Sequence, residues 1–152
     1  MTPEPDAKPH WKQAFPQWVN PVLPDLDLVF RVRVDAEYYH SVLHHAVEKA
    51  KGTHSEEAIQ AFLEEALVAF YEAQKGKQAT AAPQEVEVAE SLVPGPRRGQ
   101  GGKSLRIDMA RTLKRDTTTR LLLRRYGTNL DTAKRLFAKE AILAKLQSVM
   151  AG

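Results

Sequence analysis

The feature that most constrains this chain is the stretch over residues 28–34, LVFRVRV, followed at once by Asp35. Phe30, Val32 and Val34 alternate with Val29, Arg31 and Arg33, so an extended segment here has one apolar face and one face bearing two cations. Such a strand is unstable alone, because its backbone donors and acceptors need a partner and its apolar face needs a cover. About 75 residues later the chain offers a candidate partner, KSLRIDM over 103–109, with Leu105, Ile107 and Met109 standing where Phe30, Val32 and Val34 stood.

Each strand is followed by two helical patterns. Asp35 is an N-cap residue for a helix running to about Lys51, with Tyr39, Val42 or Leu43, Ala46, Val47 and Ala50 as its stripe and Gly52 as its stop. Thr53, with Glu56 three positions on, forms a capping box for a second helix whose buried face is Ile59, Phe62, Leu63, Ala66, Leu67 and Phe70. The later strand leads into a helix over 111–126, a stop at Gly127 and a helix over about 130–149, with Thr128 and Asp131 repeating the cap. At a constant offset, Gly52-Thr53 matches Gly127-Thr128, Ala58 matches Ala133, Phe62 matches Phe137, Glu65-Ala66 matches Glu140-Ala141 and Ala69 matches Ala144. Those identities mark an internal duplication of one strand-helix-helix unit, over 28–75 and 103–150.

The remaining segments break the pattern. Residues 1–27 hold Pro3, Pro5, Pro9, Pro16, Pro21 and Pro24, which disfavour a regular helix or central strand and read as an extended arm that Trp11, Phe15 and Trp18 dock on the folded body, with docking on a partner as the alternative. Residues 76–102 gather Gly, Pro, Ala and Gln and read as a flexible linker, with a weak strand signal over 85–88 and an echo of a phosphate loop at Gly99-Gln100-Gly101-Gly102-Lys103.

A chain of 152 residues, 43% of them hydrophobic, can bury one core, so the two units are expected to form one compact domain. With no cysteine there is no disulfide or thiolate site, and neither a membrane span nor a signal-peptide core is visible, which makes a cytoplasmic location the expectation. The net charge of +3 hides a strong polarity. Residues 1–95 carry about 8 basic and 15 acidic side chains, and residues 96–152 about 14 basic and 4 acidic ones. A polyanion-binding half and a solvated helix surface both account for this.

A short basic-and-apolar strand followed by two helices, with Gly-Thr at the second helix start, resembles the ribbon-helix-helix family of DNA-binding proteins. In that family two units pair their strands antiparallel and lay the ribbon in the major groove. The resemblance implies a mainly α fold with a short two-stranded antiparallel ribbon, here a tandem single-chain pseudo-dimer. Tandem units of this kind resemble conjugation and T-DNA transfer accessory proteins, of the TraY relaxosome type and of the virulence C operon. The second is nearer, on Asn129-Leu130-Asp131-Thr132-Ala133-Lys134-Arg135 and the alanine-rich continuation.

Carried onto this chain, the resemblance makes Val29, Arg31, Arg33, Ser104, Arg106 and Asp108 the base-reading residues; Arg can bond guanine in bidentate fashion, and Asp108 takes either a cytosine amino group or a neighbouring Arg. The second-helix N-termini would meet phosphates at Thr53, His54 and Ser55 and at Thr128 and Asn129, although plain helix capping explains the same residues. Lys103, Arg97 and Arg98 would track the backbone.

His40, His44 and His45 invite a metal reading, but without Cys or a carboxylate at ligand spacing an exposed helix face is the simpler account. No catalytic motif is present, so neither enzymatic activity nor a cofactor is expected. The leading expectation is therefore a sequence-preferring duplex-DNA-binding accessory protein working beside a relaxase, monomeric when free, with higher assembly on DNA allowed. A transcriptional repressor of partition or antitoxin type is the alternative on the same fold, and a protein-binding helical module the alternative outside it.

Overall fold

The computed structural model describes residues 27–77, 80–127 and 129–151. The proline-rich arm, with Trp11, Phe15 and Trp18, lies outside the described residues apart from Asp27. Among the described residues the protein is mainly helical, with five helices and one two-stranded antiparallel sheet.

Strand β1 (Val29–Asp35) pairs with strand β2 (Gly102–Asp108) of the same chain. Phe30 lies opposite Ile107, Arg31 opposite Arg106, Val32 opposite Leu105 and Arg33 opposite Ser104. The alternation in the sequence thus does what it predicts: Phe30, Val32, Val34, Leu105 and Ile107 all face the core and are buried. Met109 N–H donates to the Leu28 carbonyl at 2.8 Å and extends the ladder by one bond.

Asp35 ends β1 and starts the first helix, its Oδ2 accepting from Tyr38 N–H at 3.0 Å. Helix α1 runs without a break through Ala36–Tyr38, a π-helical turn at Tyr39–Leu43, and His44–Lys51. Past this wide turn Leu43 points inward and Val42 is 45% exposed, which settles the choice between them. Ala50 of the expected stripe is exposed, in a last turn that has run past the core. Gly52 closes α1 at φ 81°, donating to the Glu48 carbonyl at 2.8 Å.

Helix α2 (Glu56–Gln74) is capped by Ser55, not by Thr53. Ser55 Oγ accepts from Ala58 N–H, while Thr53 Oγ accepts from Ser55 N–H, so the expected Thr53–Glu56 box does not form. The helix buries Ile59, Phe62, Leu63, Ala66 and Leu67, with Phe70 packed at the margin.

Part of the segment expected as a flexible linker is helical. Helix α3 (Pro83–Leu92) occupies the stretch where a short strand was expected over 85–88; Pro83 is pre-set for a first helical turn, and Glu85 Oε1 accepts from Ala82 N–H at 3.0 Å. Ala89 and Val93 are fully buried, and Glu90 reaches Arg135 at 2.5 Å and Lys139 at 3.0 Å. The chain then runs beside β1, where the Pro94 carbonyl accepts from Asp35 N–H at 2.8 Å.

Helix α4 (Arg115–Tyr126) begins later than the expected 111, because Thr112 and Leu113 donate to the Met109 carbonyl in a turn. Gly127 ends it at φ 61°. Helix α5 (Leu130–Ala151) is capped by Asn129, whose Oδ1 accepts from Thr132 N–H at 2.8 Å. It crosses the middle of the molecule. Phe137 packs its ring 5.5 Å from Phe30 and 5.3 Å from Phe70, joining the sheet to both long helices.

One repeated position ties the first helix of each unit to the second. Glu65 accepts from Lys51 Nζ at 2.5 Å, and its repeat mate Glu140 accepts from Tyr126 OH at 2.6 Å and from Arg125 through both oxygens, at 2.8 and 3.2 Å. Arg125 also donates to Gln74 at 3.1 Å. Arg125 and Glu140 are almost wholly buried, so removing one partner strands the other charge. Glu140→Ala is expected to destabilise the fold by about 3–5 kcal/mol in urea unfolding, and Glu65→Ala, on the exposed counterpart, by about 1 kcal/mol or less.

Candidate nucleic-acid interface

The outward face of the sheet carries Arg31 and Arg33 from β1 and Ser104, Arg106 and Asp108 from β2, all exposed. Arg31 and Arg106 stand directly opposite each other. Asp27 lies 3.7 Å from Arg31, while Arg33 and Arg106 have no ion-pair partner among the described residues. Like charges facing across a strand pair destabilise it, and this face keeps a net positive charge that Asp27 and Asp108 only partly offset.

Three expected members of the interface are buried or bonded within the chain. Val29 is only 9% exposed although it lies opposite exposed Asp108, which leaves it little surface to offer a base. Asp108 does not pair with an arginine: its Oδ1 accepts from Ala110 N–H at 3.0 Å and shapes the turn after β2. Arg97 is exposed but paired within the chain, with Nε 3.3 Å from buried Asp35 and Nη2 2.7 Å from Glu37. It pins the α3–β2 connection to the start of α1.

Arg98 and Lys103 are exposed; Lys103 Nζ lies over the Tyr39 ring, 5.2 Å from its centre. Thr53, His54 and Ser55 sit exposed at the N-terminus of α2, where Glu56 and Glu57 complete the first turn with two negative charges. Asn129 is exposed and caps α5, and Thr128 lies outside the described residues. Two cations that the strand and cap patterns do not single out, Arg135 and Lys139, approach the β1 edge and share a cavity with Arg31, Arg33 and Arg106. Their signal lay in the repeat, since they replace Gln60 and Glu64 of the first unit.

The histidines gather beside the α1–α2 turn. His44 stacks on His54 with ring centres 4.8 Å apart and meets His40 edge-on at 5.2 Å, and His54 Nδ1 lies 2.6 Å from Glu48 Oε2. Among the described residues no group of three or more such side chains is placed to hold a metal ion. The buried His44 Nε2 has no hydrogen-bond partner. Burial holds the His44 pKa below its usual 6.5, and His54, His40 and Lys103 push it the same way, against a smaller opposing pull from Glu48.

The unfolded chain therefore takes up a proton here at higher pH than the folded one. The stability linked to His44 is complete above about pH 6.5 and falls as the pH drops below it. His44→Gln is expected to flatten the loss of melting temperature between about pH 6.5 and 5, measured against the parent protein.

Comparison with protein-family models, curated proteins and solved structures found no match to this chain. Among the described residues no helix is long and apolar enough to cross a membrane.

Proposed function

We propose that this chain is a duplex-DNA-binding protein of ribbon-helix-helix type, a single-chain pseudo-dimer that sets its two strands in the major groove. The observation that carries this reading is the Arg31–Arg106 pair, facing across the exposed side of the sheet with Arg33 beside it. The free protein keeps like charges in opposition there, and a guanine-rich groove lined by phosphates supplies the acceptors that relieve them.

The strand register supports a pseudo-twofold. With the repeat offset of 75 residues that takes Gly52 to Gly127, the mate of Phe30 is Leu105 and the mate of Val32 is Ile107. In the sheet these exchange: Phe30 lies opposite Ile107 and Val32 opposite Leu105, while Arg31 lies opposite its own mate Arg106. A self-complementary pairing of this kind is what a twofold through Arg31 and Arg106 produces. The paired helix stops at Gly52 and Gly127 and the paired glutamates Glu65 and Glu140 keep the same relation.

Only one of the two half-ribbons carries two arginines, so the preferred site is asymmetric about its centre. The task we assign to binding is that of an accessory factor in the cytoplasm, positioning or bending DNA for a relaxase. It rests on the resemblance at 129–135, and a nicking assay with the relaxase, with and without this protein, tests it.

Replacing Arg106 by Glu turns the like-charge pair into an opposite one. Arg106→Glu is expected to raise the melting temperature by about 1–4 °C while abolishing binding to duplexes selected from a random pool. Arg31→Ala with Arg33→Ala should remove the sequence preference. Unchanged preference in the double variant would contradict a reading of bases by the strands.

A further inference from the structure

The two flanks of the sheet are equivalent in the repeat and opposite in charge. Beside β2, the first turn of α2 presents Glu56 and Glu57, which share a hollow with Lys103, and Gln60 Nε2 donates to the Arg106 carbonyl at 3.3 Å. Beside β1, the positions of Gln60 and Glu64 are taken by Arg135 and Lys139 of α5. With Arg31, Arg33 and Arg106 these two cations line an open cavity of about 700 Å³, walled on one side by Pro96 of the α3–β2 connection. The anion that meets them is internal: Glu90 Oε1 lies 2.5 Å from Arg135 Nη1 and 3.0 Å from Lys139 Nζ. Lys139 is 5% exposed, whereas the Arg135 side chain is 40% exposed and has donors left over after one of its nitrogens has met Glu90.

We propose that this cavity is a DNA backbone-phosphate site present on one flank only, with Glu90 as the internal carboxylate against which the phosphate competes. The inference rests on the duplex-DNA reading and adds a polarity to it. A phosphodiester entering beside β1 meets Arg135 backed by Lys139, and its neighbours on the strand run toward Arg31 and Arg33. On the other flank Glu56 and Glu57 outweigh the single charge of Lys103 and disfavour the backbone, so the complex is lopsided about the Arg31–Arg106 axis. Glu90 belongs to the segment that joins the two units. Its charge therefore sets the strength of a contact that neither unit would make by itself.

The test uses the full chain and a duplex chosen from a random pool, with anisotropy titrations over a range of salt and hydroxyl-radical footprints. Arg135→Gln is expected to weaken binding about five- to tenfold and to reduce the slope of log affinity against log salt by about 1. Glu90→Gln, nearly isosteric, should strengthen binding about three- to tenfold, and the footprint should extend farther on one side of the site centre. If Arg135→Gln and Glu90→Gln both keep the parent affinity and slope while Arg31→Ala with Arg33→Ala loses them, the phosphate site is refuted and the DNA reading stands. If the unmodified protein binds no duplex even at low salt, the DNA reading fails, and this inference with it.

Discussion

Everything in this molecule depends on the pairing of β1 with β2. Each strand alone has an uncovered ladder of backbone groups and an apolar face too small to fold around. Joined, they present Phe30, Val32, Val34, Leu105 and Ile107 as one surface on which α5 and its Phe137 can pack. The pairing also fixes what faces outward: because side chains alternate strictly along the strands, burying the apolar set puts Arg31, Arg33 and Arg106 on the open side. A one-residue slip would bury the arginines, and that cost holds the register.

Supplying both strands from one chain has a further consequence. A homodimer built on such strands repeats every feature twice, whereas the two units here have diverged. The first is acidic at the start of its second helix and the second is basic along the corresponding surface. The segment between them carries its own helix, inserts Ala89 and Val93 into the body, and fastens itself through Glu90 and Arg97. Its ion pairs touch Asp35 at the end of β1 and Arg135 beside it, so the connection braces the edge of the sheet.

The strands and four of the five helices were legible because burial leaves a period in the sequence, of two for Phe30–Val34 and near 3.6 for Ile59–Leu67. The helix at 83–92 was not, since only Ala89 and Val93 sink fully into the core and its other attachments are charges far away in sequence. Thr53 and Ser55 are chemically alike as caps, and nothing local chooses between them. Of the expected interface, Arg31, Arg33, Ser104 and Arg106 could be read from alternation alone. The burial of Val29 could not, because it departs from the alternating exposure at the strand end, and neither could the pairing of Arg97, whose partners Asp35 and Glu37 are met only in three dimensions. Arg135 and Lys139 became visible only when the repeat register was laid against the sheet edges.

The central claim is that a single chain makes a complete DNA-reading ribbon. The most direct measurement is the native mass of the complex formed with one short duplex, together with that of the free protein. The account predicts one 17.0 kDa chain per duplex and a monomer in solution. Two chains per minimal site, or a free dimer that exchanges strands between copies, would contradict it.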